Sequence, residues 1–348
     1  MKQDIKVLLI SDSIAIRKFI QSFIVSEKTI TTDEVNFDIN LILEKISTQN
    51  PDIVIIDVGN SIETARLFIK QIMDKSPRPI IILISSVNEK VADKEMQLLE
   101  EGALDYVPKP NSMSANFEIQ KRELIEKIKS SANTNIATLK SLLGKVNFPQ
   151  DQQPLPHIQG KIIVIGSSTG GPIALESILP KINSGFAYPI LVAQHLLPKF
   201  TQTLSKRLKK MCNINVIQAA DGEKIRPGVI YIAPGSANMT VMLDENEQPF
   251  LSVTENPGST LSPSIDKLME SAASVFGSNT IGVVLTGMGK DSLEGAKKIK
   301  EKGGKILVQD QESSAVFGMG KEVVENGLAS EIVPLEKMAD RIREVANG

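Results

Sequence analysis

The chain is poor in thiol and imidazole: its 348 residues include one cysteine and two histidines. A lone cysteine excludes an internal disulfide and leaves too few thiolates for a structural zinc site. Any histidine-dependent chemistry has two candidates, His157 and His195. No apolar stretch approaches the roughly 20 residues that span a bilayer. The opening "MKQDIKVLLISDS" reaches an acidic residue too early for a secretion signal, so a cytoplasmic protein without a transmembrane segment is expected. A basic excess is also missing, since 39 basic and 41 acidic residues leave a net charge of -2. That balance argues against a dedicated nucleic-acid binder. Short-period repeats and low-complexity tracts are absent.

What is present is ordinary for a soluble globular protein: 41% hydrophobic and 23% charged residues, in a length that suits two domains. Apolar runs "IKVLLI" (5–10), "DIVIID" (52–57), "PIIILIS" (79–85) and then "ALDYVPKP" (103–110) read as strands buried on both faces. Helix-like segments such as "IAIRKFIQSFIV" and "SIETARLFIKQIM" lie between them, and Phe117, Leu124 and Ile128 recur at helical spacing. A second series follows in "KIIVIG", "YPILVAQ", "GVIYIAPG", "IGVVLTG" and "KILVQD", with "TVMLDENEQPFLSVTE" as a β-hairpin turning near Glu245 and Asn246. The expected fold is α/β: two doubly wound parallel-sheet domains at 1–130 and 160–348. Between them, 131–159 contains the aperiodic "KVNFPQDQQPLPHIQG" and reads as a linker holding His157.

The segment "VIGSSTGG" (164–171) is glycine-framed and follows a β-branched run. As a phosphate cradle it is a near miss. Gly166 and Gly171 have P-loop spacing, but Pro172 and Ile173 replace the Lys and Ser/Thr, and Ser168 replaces the second glycine of a dinucleotide fingerprint. A generic anion site at a helix N-terminus stays open. Gly166, Ser168 and Gly170 also satisfy G-x-S-x-G, which raises a serine hydroxyl on a strand-to-helix turn. Pro172 suits the first helical turn. The competing structural role is helix capping by Ser167, Ser168 or Thr169.

His195 ends an apolar run and should emerge at the C-terminal strand edge, where open parallel sheets place their sites. Between Ser168 and His195 the only acid is Glu176, early in a helix, so the order is not the Ser-acid-His of α/β-hydrolases. Asp291, after "IGVVLTGMGK", is the best orienting acid, its alternative being an N-cap for "SLEGAKKIKEKG". Backbone N–H groups at Thr169 and Met288 are oxyanion-hole candidates. Cys212 follows "KRLKKM" with no second histidine to activate it and reads as a structural thiol.

Five ordered blocks, "GSSTGG", "QHLLPKFTQTLSKRL", "DGEKIRPGVIYIAPG", "LTGMGKDSLEGA" and "FGMGKEVVENGLASEIV", resemble the chemotaxis protein-glutamate methylesterases, the CheB family, over residues 160–345. The resemblance implies Ser168 as nucleophile, His195 as base and Asp291 as orienting acid, acting without a cofactor on glutamate methyl esters of chemoreceptors and on glutamines. Departures are Leu261-Ser262-Pro263-Ser264 for the usual His-Arg-Pro-Ser, Ser292 for glycine and Gly320 for proline. A non-catalytic signalling adaptor is the competing reading.

Residues 4–130 resemble a response-regulator receiver. The resemblance implies Asp57 as the phosphorylated aspartate, Asp12, Ser85 and Lys109 as switch residues, Mg²⁺ held by Asp12 and Asp57, and a histidine kinase as phosphodonor. The usual acidic pair is reduced to Ser11-Asp12, and losing one carboxylate weakens a Mg²⁺ site. Two readings compete, a weakened phospho-switch and a docking and lid domain; the second is favoured.

Overall fold

The computed structural model describes the chain except residues 1–3, 25, 60, 85–88, 111–116, 135, 137–159, 184 and 257–261. It divides into two compact units, Met1–Leu143 and Gly144–Gly348. The expected linker at 131–159 falls almost entirely outside the described residues, although the helix before it runs through Ser131. Among the described residues no helix is long and apolar enough to cross a membrane.

The first unit has five parallel strands: β1 (Ile5–Ile10), β2 (Ile30–Val35), β3 (Ile53–Asp57), β4 (Ile80–Ile84) and β5 (Asp105–Pro108). Their order across the sheet is β2-β1-β3-β4-β5. Every residue of β3 and β4 is buried, as expected where helices cover both faces. Helices α1 (Ile14–Ile24), α2 (Ile39–Gln49), α3 (Ile62–Lys75) and α4 (Glu89–Glu100) make the crossovers, and α5 (Phe117–Ser131) follows β5. Asp38 and Ser61 cap α2 and α3 by accepting from amides of the first turn. Leu124 and Ile128 of α5 are fully buried, with Phe117 packed against them.

The second unit is built on seven parallel strands. They are β6 (Ile162–Ser167), β7 (Ile190–Gln194), β8 (Asn215–Gln218), β10 (Val229–Ile232), β13 (Thr280–Val284), β14 (Lys305–Gln309) and β15 (Glu331–Val333). The order β15-β14-β13-β6-β7-β10-β8 puts the first strand at the centre. The chain first winds outward through β7, then returns to add β13 on the other side of β6. The carboxyl end of β6 is therefore a topological switch point, where two crossovers diverge and leave a crevice. A small antiparallel sheet of β9 (Glu223–Lys224), β11 (Ala237–Leu243) and β12 (Pro249–Glu255) includes the expected hairpin. At its turn Asp244 accepts from the Asn246 and Gln248 amides, an Asx-type closure.

The helices of this unit are α6 (Gly171–Ile178), α7 (Pro198–Met211), α8 (Ile265–Phe276), α9 (Leu293–Glu301), α10 (Met319–Glu325) and α11 (Leu335–Asn347). Residues of α8, α9 and α10 join Ile162 and Val164 of β6 in one buried apolar cluster. Gly295 lets α9 approach α8, since a Cβ there would stand 2.5 Å from the Met269 Cβ.

Candidate active site

Ser168 and His195 directly follow the carboxyl ends of β6 and β7, and Asp291 lies in the turn between β13 and α9, so the three central strands bring them together. Continued pairing carries the sheet into the site: the His195 amide donates to the Ser167 carbonyl, and the Ser168 amide donates to the Thr286 carbonyl. The turn after Ser168 needs glycine. Gly170 has φ +76°, and a Cβ on it would stand 2.8 Å from that of Ala315. Gly170 is also the N-cap of α6, with no side-chain cap, and Pro172 lies in its first turn. The two serines do not cap the helix: the Ser167 hydroxyl donates to Gln194 at 2.6 Å, and Ser168 faces the histidine.

His195 Nδ1 lies 3.2 Å from Ser168 Oγ, and its Nε2 lies 2.8 Å from Asp291 Oδ2. With the ring proton on Nε2 donated to Asp291, the Nδ1 lone pair faces the serine hydroxyl. The His195 and Asp291 side chains are 9% and 11% exposed, which keeps water from competing for their bond. Asp291 does not cap the helix that follows it. Instead it accepts the Ile265 and Asp266 amides, both at 2.9 Å, and the Ser264 hydroxyl at 3.2 Å, all at the N-terminus of α8. Burial raises the proton affinity of Asp291, but the bonds from His195 and these amides outweigh it and hold the carboxyl below its ordinary range. The positive end of the α8 dipole acts in the same direction.

Beside it Asp266 accepts the Gly295 amide at 2.8 Å. Burial, reinforced by the Asp291 charge, pushes its carboxyl up to about 7. Thr169 is buried, and its carbonyl accepts the Thr286 hydroxyl at 2.9 Å. Gly287, the residue before Met288, presses its backbone against Ser168, where a Cβ would meet that of Ser168 at 2.8 Å.

Sequence reasoning missed Ser264, Asp266, Gln194 and Thr286. Gln194 and Thr286 lie in blocks that resemble the family and Ser264 in the segment that departs from it, but nothing along the chain says what any of the four binds. Of the departures from the family pattern, Leu261 lies outside the described residues. Ser292 is buried at φ 159°, ψ -7°, and its hydroxyl has no hydrogen-bond partner. A Cβ at Gly320 would meet the Phe317 ring at 2.7 Å. Cys212 is not a usable nucleophile: burial, with the charge of Glu176, pushes its thiol up to about 12.

In the first unit Asp57 ends β3, buried at 2% exposure. The Ser11 hydroxyl donates to its Oδ2 at 2.7 Å, the Gly59 amide donates to Oδ1 at 3.1 Å, and Lys109 pairs with Oδ1. Asp12 accepts the Phe37 amide at 3.0 Å. Ser85 lies outside the described residues.

Comparison with known proteins agrees with both halves. The CheB methylesterase family model matches residues 163–342, and the response regulator receiver domain model matches residues 7–119. A Thermotoga maritima protein named protein-glutamate methylesterase/protein-glutamine glutaminase is 35% identical over 346 residues, 98% of each chain. A Halalkalibacterium halodurans protein of the same name is 36% identical over 343 residues, again 98% of each. The crystal structure of the Thermotoga maritima CheB methylesterase catalytic domain is 40% identical, with a TM-score of 0.52, covering 54% of this chain and all of that one. The chain belongs to the CheB methylesterase family and carries the family's receiver domain at its N-terminus.

Proposed function

We propose that this protein hydrolyses glutamate γ-methyl esters on methylated chemoreceptors, and deamidates receptor glutamines, with Ser168 as nucleophile, His195 as base and Asp291 as orienting acid. The observation that carries this reading is the unbroken hydrogen-bonded path from Ser168 through His195 to Asp291 in a chain of this family. Ser168 Oγ attacks the γ-carbonyl as its proton passes to His195 Nδ1. The imidazolium that forms is steadied by the Asp291 carboxylate on Nε2, and that carboxylate is kept ionised by the α8 amides. The backbone N–H groups of Thr169 and Met288 receive the developing oxyanion. Collapse expels methanol, or ammonia from a glutamine, with the proton returned by His195. Water then cleaves the acyl-serine by the same base. The chemistry needs no cofactor, and the site of action is cytoplasmic.

Ser168→Ala should lower methanol release from methylated receptor by about 10^4-fold or more while circular dichroism stays unchanged. Turnover near the wild-type rate in that variant would move the nucleophile elsewhere.

For the receiver, the implied group is Mg²⁺, and the residues around Asp57 do not fit it. Mg²⁺ takes hard oxygen ligands and favours carboxylate charge. Ser11 supplies a hydroxyl that donates to Asp57 instead of a carboxylate that could accept a cation. Both Asp57 oxygens have protein partners, and one Asp12 oxygen accepts a backbone amide. Among the described residues no group of three or more His, Cys, Asp or Glu could hold a metal. The reading this supports is a receiver that docks partners and accepts phosphoryl groups from a histidine kinase poorly.

A further inference from the structure

Gln194 is the last residue of β7, next in the chain to His195, and only 1% exposed. A buried primary amide must find partners for one oxygen and two N–H groups, or desolvation opposes folding. All its partners lie on one structure. Oε1 accepts the Ser167 hydroxyl at 2.6 Å, while Nε2 donates to the Ser168 carbonyl at 2.9 Å and to the His195 carbonyl at 3.2 Å. One nitrogen thus ties the backbone of the serine to the backbone of the imidazole. The amide has a single workable orientation, because turning it over would set Oε1 against two carbonyl oxygens. Its seat is equally specific: a Cβ on Gly171 would stand 1.9 Å from Oε1 and 2.8 Å from Cδ. On the opposite side the turn is held by the Ser168 amide donating to the Thr286 carbonyl.

We infer that Gln194 is a positioning residue that sets the separation of Ser168 and His195, and that the absence of a side chain at Gly171 exists to seat it. The inference rests on the reading that Ser168 and His195 are the reacting pair. Without the amide, the Ser168 carbonyl keeps only the Gly171 amide of its own turn, no side chain spans from it to the His195 backbone, and the hydroxyl can drift from Nδ1. Misplacement of about 1 Å at a reacting centre costs about 100-fold in rate.

The experiment uses the full chain with methylated receptor, and an alkyl fluorophosphonate whose reaction with serine needs no receptor binding. Gln194→Leu should lower kcat by about 10- to 100-fold with KM changed less than about 2-fold, and should slow fluorophosphonate labelling by the same factor. Gly171→Ala keeps the amide but displaces it, and should reproduce the kcat loss. Ser167→Ala removes one bond of three and should give a smaller one. If Gln194→Leu fails to fold, the other two decide: lowered kcat with an unchanged melting midpoint supports the assignment, and unchanged kcat overturns it. A folded Gln194→Leu variant with wild-type kcat overturns it outright, as does a loss that appears in KM alone. Ser168→Ala separates the two claims, because its full turnover would sink the underlying reading, whereas its inactivity beside an active Gln194→Leu would sink only the role of Gln194.

Discussion

Asp266 and Asp291 bracket the N-terminus of α8 and are driven in opposite directions, although both are partly buried aspartates. Asp291 receives two helix amides, a hydroxyl and an imidazole, and ionises easily; Asp266 is pushed up to about 7 by burial and the Asp291 charge, against which the Gly295 amide alone acts. An unfolded aspartate gives up its proton near about 4. Between these values the folded chain binds the extra proton, so the contribution of Asp266 to stability falls as pH rises through that window. Asp266→Asn keeps the acceptor for Gly295 and removes the titration. Its melting midpoint, measured from pH 4 to 8, should gain steadily on that of the wild type as pH rises; a constant difference between the two would refute the assignment. The residue scale is also where sequence reading was weakest. His195 was identifiable because only two histidines exist, whereas Ser264 and Gln194 look like any other polar residues until their partners are known.

Strands buried on both faces announce themselves as apolar runs, and β1, β3, β4, β6, β7, β10, β13 and β14 were all visible that way. Of the edge strands, β5 was read from "ALDYVPKP", whereas β2, β8 and β15 were not. "ITTDEV" in β2 buries only Ile30 and Val35, and "EIV" in β15 only Val333, because an edge strand faces solvent along one side and lacks a continuous apolar signal. The contact between β6 and α8 belongs to this scale, because it positions the acid of the site through a helix rather than through its own strand. A Cβ on Gly166 would stand 2.3 Å from Ile265 Cγ2, and the Ile265 amide is one of those holding Asp291. Gly166→Ala should therefore push α8 outward, destabilise the fold by about 1–3 kcal/mol and lower kcat with it. Denaturant titration alongside methanol release checks both, and a variant of unchanged stability would mean that Ile265 repacks freely.

Over the whole molecule, the two units carry different chemistry. The second holds the hydrogen-bonded serine, histidine and aspartate; the first holds an aspartate whose oxygens are taken by Ser11, Gly59 and Lys109. Acetyl phosphate should accordingly label Asp57 poorly. Ser11→Asp, which restores a second carboxylate and removes the hydroxyl donor, should raise Mg²⁺-dependent labelling by at least about 10-fold. Stoichiometric labelling of the wild type that vanishes in Asp57→Asn would show that the hydroxyl is no obstacle. Ser11 was readable as a departure from the receiver pattern; that it donates to Asp57 required the fold.

The amino-acid order by itself determined two parallel α/β units, a glycine-framed serine and the chain order Ser-His-Asp, because burial periodicity and turn chemistry are local. Tertiary structure decided which groups meet. Only the strand order places β6 between β7 and β13, and only that crevice brings Ser168, His195 and Asp291 to one rim. The charge on Asp291 and the seat of Gln194 were likewise set by packing, because hydrogen bonds to residues 25 or more positions away leave no pattern along the chain.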